Sequence, residues 1–167
     1  MKVKKPMLFI LVCMISISGC VDSGTVEDEM TILEPSPEAA TPFYEFNETD
    51  SYKEWSIWPG KGLMMDGTGV HGDYVSIYVS SNALASAEIG GSAMPYETMV
   101  VKEGFNADKE LTGIYLMYKV EGFDPEHNDW FWAAYSPEGN VRSEGKVGGC
   151  ISCHEGKKDV DYIFVNA

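Results

Sequence analysis

The chain has 167 residues, with 12 Lys and Arg against 26 Asp and Glu, and a formal net charge of −14 at pH 7. That balance excludes a nucleic-acid binder driven by phosphate contacts, which needs clustered cations. It also leaves anionic lipid surfaces repelled, and the length suits one domain once a leader is removed.

Lys2, Lys4 and Lys5 form a basic start, residues 7–17 an apolar run, and Ser18-Gly19 a small pair before Cys20. The pattern predicts a secretory signal over residues 1–19, too short for a stable membrane span. Ile17-Ser18-Gly19-Cys20 also resembles a prokaryotic lipobox, which makes Cys20 the lipid anchor and the sole membrane attachment. The alternative is an ordinary signal peptide in which Cys20 is incidental. Between residues 21 and 50 there is no Lys or Arg, and acids, Thr, Pro and Ser dominate. This composition predicts a disordered tether over residues 20–45, ahead of a folded domain over 46–167. The expected location is the extracytoplasmic face of a membrane.

Asn47 or Thr49 can cap a short helix through Tyr52 and Trp55, ended before Pro59-Gly60. Residues 60–72 are glycine-rich and read as a loop. Tyr74-Val75-Ser76-Ile77-Tyr78-Val79 alternates β-branched and aromatic residues and predicts a strand. The alanine-rich stretch 82–88 predicts a helix stopped by Gly90-Gly91. Further strands are expected over 99–102, 111–120 and 130–135, with a turn at 136–140 and a short last strand over 161–165. In the third strand Ile114, Leu116 and Tyr118 share one face, and Tyr115, Met117 and Lys119 the other. Consecutive strands on short links predict an α+β domain: a mainly antiparallel β-sheet, a few flanking helices, and a cofactor against one sheet face.

The cofactor is named by Cys150-Ile151-Ser152-Cys153-His154. C-x-x-C-H is the spacing of covalent haem attachment: two thiols form thioethers to one haem, and the adjacent histidine supplies the proximal nitrogen to iron. Zinc would need a second ligand pair, and His71 and His127 stand alone. A dithiol redox pair would sit in a βαβ pattern, which is absent. Cys13 falls in the signal and Cys20 at the anchor, so with Cys150 and Cys153 holding one haem c no disulfide remains. Haem c is attached after export, which agrees with the signal. A helical electron-transfer cytochrome places this motif early and a Met ligand far downstream. Here residues 155–167 follow the motif and contain no Met. Met64, Met65, Met94, Met99 and Met117 are sulfurs more suited to core packing.

From about Tyr52 onward the chain resembles the cytochrome P-460 family, which includes the cytochromes c′-beta. The resemblance is carried, in order, by the strand 74–79 with Ser80-Ser81-Asn82-Ala83-Leu84, by Tyr96-Glu97-Thr98-Met99-Val100-Val101-Lys102-Glu103, by Asp129-Trp130-Phe131-Trp132-Ala133-Ala134-Tyr135, and by the haem motif with Asp161-Tyr162-Ile163-Phe164. It implies a homodimer with one haem c per subunit, His154 as the only protein ligand to iron, and an open distal position. Such iron binds small molecules such as nitric oxide or hydroxylamine and exchanges electrons with a redox partner. The resemblance therefore implies hydroxylamine oxidation, or nitric oxide binding or detoxification. The alternatives are a nitric-oxide-binding module without turnover and a simple electron carrier.

Within that resemblance Lys102 matches the lysine that hydroxylamine-oxidising members bond to a haem meso carbon. A lysine desolvated beside haem has a lowered pKa, and its neutral amine is nucleophilic. The alternatives are a surface lysine and the uncrosslinked pocket lysine of the c′-beta branch. Val75 stands where hydroxylamine-oxidising members often carry a distal Arg. With Val75 and Ile77 on one strand face, an apolar distal wall is expected, which favours gas binding. Phe131 is a further distal candidate, alternating with Trp130 and Trp132. His71, Asp73 and Glu144 are candidate bases without an assigned place.

Overall fold

Period-two alternation sets the architecture, because successive side chains on a strand point to opposite faces. In the computed structural model, which describes residues 52–164, it yields seven strands and two helices. The strands are β1 (Ser56–Ile57), β2 (Met65–Gly69), β3 (Gly72–Val79), β4 (Met99–Phe105), β5 (Leu111–Lys119), β6 (Trp130–Tyr135) and β7 (Val141–Gly145). The helices are α1 (Leu84–Ile89), between β3 and β4, and α2 (Gly148–His154), after β7. All pairings are antiparallel, in the order β1-β3-β4-β5-β6-β7, with β2 also on β3. β1 and β2 share one edge: β1 pairs with Tyr78 and Val79, β2 with Gly72, Tyr74 and Val75. The fold is α+β, as the sequence predicts. No helix among the described residues is long and apolar enough to cross a membrane.

Each face of the sheet buries its own apolar cluster. On one side Tyr78, Val101, Ile114, Leu116, Tyr118, Phe131, Ala133 and Tyr135 pack with Tyr52. On the other, Ile77, Val79, Val100, Trp130 and Trp132 pack with Ala83 and Ala87, Met94, Ile151 of α2, Tyr162 and Ile163. Burying one such aliphatic or aromatic side chain stabilises the fold by roughly 1.5–3 kcal/mol. Glu103 is the polar exception on the first face. Its buried carboxylate accepts hydrogen bonds from Tyr52 OH at 2.8 Å and Tyr78 OH at 3.2 Å, with Lys53 Nζ 3.8 Å away. The second face carries the cavity described below.

Four expectations change. The helix expected through Tyr52 and Trp55 is a single 3-10 turn, Tyr52–Glu54, followed by β1; its candidate caps Asn47 and Thr49 lie outside the described residues. The glycine-rich stretch is a β-hairpin rather than a loop. A Cβ at Gly67 would collide with the Gly72 carbonyl, so glycine is there to let β2 and β3 approach. The last expected strand is absent from residues 161–164: Asp161 and Tyr162 are both left-handed, at φ 58° and 64°, which cannot continue a ladder. Conversely β7 had no sequence signal, because Val141-Arg142-Ser143-Glu144-Gly145 is an edge strand without apolar alternation. The expected signal over 1–19, tether over 20–45 and anchor Cys20 lie outside the described residues.

Candidate functional site

Helix α2 begins at Gly148 and is seated by Ile151, which enters the core of the second face. Residues three and four apart share a helix face. Anchoring Ile151 therefore leaves Cys150, Cys153 and His154 together on the wall of one cavity. Both thiols are free, Cys150 half-buried and Cys153 exposed. Burial, and then Cys153, push the Cys150 thiol pKa up.

His154 is buried, and its Nδ1 lies 2.7 Å from the Tyr162 carbonyl oxygen. A carbonyl only accepts, so Nδ1 carries the proton and Nε2 keeps its lone pair. The ring is held edge-on by Trp132 and Phe164, with centroids 4.8 and 4.9 Å away. Burial lowers its pKa most, the Tyr162 bond opposes that, and Lys102 lowers it further.

The cavity has a volume of about 710 Å³, within the roughly 300–1,000 Å³ of small-molecule and cofactor sites. Val75 and Ile77 of β3, Val100 and Lys102 of β4, Tyr115 and Met117 of β5, and Trp132 of β6 form its sheet wall. The β2–β3 hairpin adds Val70 and His71. The hairpin lies flush on the sheet, since a Cβ at Gly104 would run into the His71 carbonyl. Burial lowers the Lys102 pKa, and Cys153 pulls weakly the other way. Lys102 forms no ion pair among the described residues. His71 is pushed down to about 4, by burial first, then by Lys102 and His154, so its ring is neutral at neutral pH. Its ring meets Tyr115 edge-on at 4.3 Å. Buried His71 Nδ1 and Trp132 Nε1 have no partner among the described residues.

This donor set fits haem c. Two thiols and a tautomer-fixed imidazole share one helix face, the wall is largely apolar, and unpartnered polar atoms border the space. The Cytochrome P460 family model matches residues 49–165. The chain belongs to the cytochrome P460 family. Proteins of this family are haem c cytochromes, and in this cytochrome P460 domain Cys150, Cys153 and His154 are the residues with the chemistry to hold one. No curated protein matches the chain.

Of the expected distal residues, Val75 and Ile77 border the cytochrome cavity. Phe131 does not, and that expectation is corrected. It belongs to the opposite face, packed on Phe123 with centroids 5.6 Å apart, because its neighbours Trp130 and Trp132 take the cavity side. Met65 and Met117 border the cavity, whereas Met94 packs in the core with α1 and Met99 against the opposite face. Asp73 is exposed, and Glu144 lies on β7 outside the cavity lining. Sequence reasoning missed Tyr115, although its place opposite Lys102 and beside Met117 would have found it. It also missed the Tyr162 carbonyl, a backbone atom with no sequence signature.

Proposed function

We propose that this protein is an exported, lipid-anchored monohaem cytochrome that acts on small reactive nitrogen compounds, with hydroxylamine oxidation as the reading the cavity favours. The observation that carries it is Lys102, a desolvated amine that forms no ion pair among the described residues and lines the same cavity as Cys150, Cys153 and His154. Desolvating an amine is costly, and the neutral form that burial favours is the form able to act as a nucleophile toward a haem ring. The bound haem would supply an iron that takes a small nitrogen compound and passes its electrons to a redox partner.

The chain's own residues divide the remaining work. Cys150 and Cys153 tether the cofactor. His154, its proton held on Nδ1 by Tyr162, offers Nε2 to the metal. Lys102 offers a neutral, nucleophilic amine, because burial lowers its pKa. Joining it to a haem meso carbon would replace one amine N–H and that carbon's C–H by a C–N bond, releasing two protons, and would require a two-electron oxidant such as a peroxide. His71, neutral and unpartnered at Nδ1, offers a polar substrate a hydrogen bond. Val75 and Ile77 exclude water. In this reading Cys20 anchors the protein after removal of residues 1–19, residues 20–45 tether the domain, and the domain forms a homodimer.

The second reading, nitric oxide binding without turnover, is favoured by the apolar Val75 and Ile77 in place of an arginine. Steady-state oxidation of hydroxylamine with an artificial electron acceptor separates the two. Turnover by the haem-loaded protein is expected. Its absence in fully loaded protein that still binds nitric oxide leaves the second reading.

A further inference from the structure

The turn that carries the Tyr162 carbonyl is unusual. Asp161 and Tyr162 are consecutive non-glycine residues in the left-handed region, φ 58° and 64°. Such backbone persists only where its surroundings over-determine it. Those surroundings converge on Asp161. One carboxylate oxygen accepts from the Met94 backbone N–H at 2.7 Å and from Lys119 Nζ at 2.5 Å. The other accepts from Asn128 Nδ2 at 3.0 Å and from the Trp130 indole at 3.3 Å, and that indole also reaches the Asp161 carbonyl at 3.0 Å. Four elements are thereby fixed to one side chain: the segment before β4, the end of β5, the turn before β6, and β6 itself. Lys119 and Asp161 are nearly fully buried, at 8% and 2% side-chain exposure. A buried ion pair with every lone pair satisfied contributes little to net stability but specifies one geometry.

The next residue along is Tyr162, whose carbonyl takes the His154 Nδ1 proton at 2.7 Å. We infer that Asp161 is a positioning residue for the proximal histidine: through Lys119, Asn128 and Trp130 it clamps the left-handed turn so that the Tyr162 carbonyl holds His154 in its hydrogen-bonded orientation and tunes its strength as a ligand. A well-held acceptor draws the Nδ1 proton away and makes Nε2 more electron-rich, which strengthens the bond to iron and favours its oxidised state. This inference concerns the haem-facing histidine and does not depend on which nitrogen compound is used.

The test uses the full-length holoprotein and reads the iron–histidine stretching vibration of the ferrous form by resonance Raman, together with the reduction potential. Asp161→Asn keeps a residue tolerant of left-handed backbone but removes the charge that holds Lys119. It is expected to shift the vibration to lower frequency and the potential upward. Trp130→Phe is the milder second variant, should Asp161→Asn fail to load haem, and is expected to shift both in the same directions. Val101→Ala, on the opposite sheet face, is the control for lost stability alone and should leave the vibration in place. The inference is overturned if Asp161→Asn or Trp130→Phe loads haem with an unshifted vibration, or if Val101→Ala shifts it equally.

Discussion

Lys102 and Tyr115 are register partners on β4 and β5, and both side chains enter the cavity that also holds Cys153 and His154. The sheet thus delivers an amine and a phenol side by side to the space a haem c would fill. Neither Glu103 nor Ile114, one residue along each strand, reaches it, because the pleat turns both to the opposite face.

Replacing the amine tests its chemistry. Lys102→Arg keeps a cation but removes a group that can lose its proton, since arginine stays charged at any working pH. The variant is expected to load haem with its ferrous Soret band at an ordinary c-type position, whereas the parent is expected to show the strong red shift of a ring-modified haem. Optical spectra of the ferric and ferrous forms decide this. A parent spectrum already ordinary would rule out the Lys102 bond.

His71→Leu is expected to weaken binding of hydroxylamine more than that of nitric oxide. The lost hydrogen bond corresponds to about 0.5–1.5 kcal/mol, hence roughly a 2- to 10-fold rise in the dissociation constant. The ring titrates near 4 because burial and Lys102 disfavour its charged form. The difference between parent and variant therefore holds from neutral pH downward and changes only as pH falls toward about 4. Titrations of the ferric protein at several pH values check both the size and the window.

Tyr78 offers a pH test away from the cavity. Burial first, then the Glu103 carboxylate it donates to, push its pKa up to about 12 from an unfolded value near 10. Between those values the unfolded chain has lost the proton that the folded chain keeps. Its contribution is complete below about pH 10 and is lost as pH rises through about 12. Tyr78→Phe should cost about 1–3 kcal/mol at neutral pH, because a buried carboxylate loses a donor. The gap to the parent should narrow in the alkaline window. Denaturant midpoints at pH 8 and pH 11 measure it, and an equal gap at both would refute the linkage.

Most of the sheet was legible because its strands alternate strictly. β3, β5 and β6 are each two-sided and half aromatic or β-branched, so their faces follow from counting residues. The C-x-x-C-H spacing was equally legible, because all of it lies within five consecutive positions, and the structure brings Cys150, Cys153 and His154 to one cavity. Harder to read were elements built from backbone alone. β2 is Met65-Asp66-Gly67-Thr68-Gly69, with glycines where strands usually carry side chains, and its pairing shows only once Gly67 is seen against Gly72.

By itself, then, the sequence determined the C-x-x-C-H spacing of Cys150, Cys153 and His154, the α+β class, and the face on which Val75 and Ile77 lie. Local periodicity and local spacing suffice for these, because each is settled within a single element. Only the tertiary structure decided that Phe131 turns away from the cavity while His71 and Tyr115 enter it, and that a left-handed turn at Asp161 and Tyr162 holds the His154 ring. Those relationships join residues from different elements. They depend on how the hairpin folds over Gly104 and on where one buried carboxylate finds its donors, which no single stretch of chain encodes.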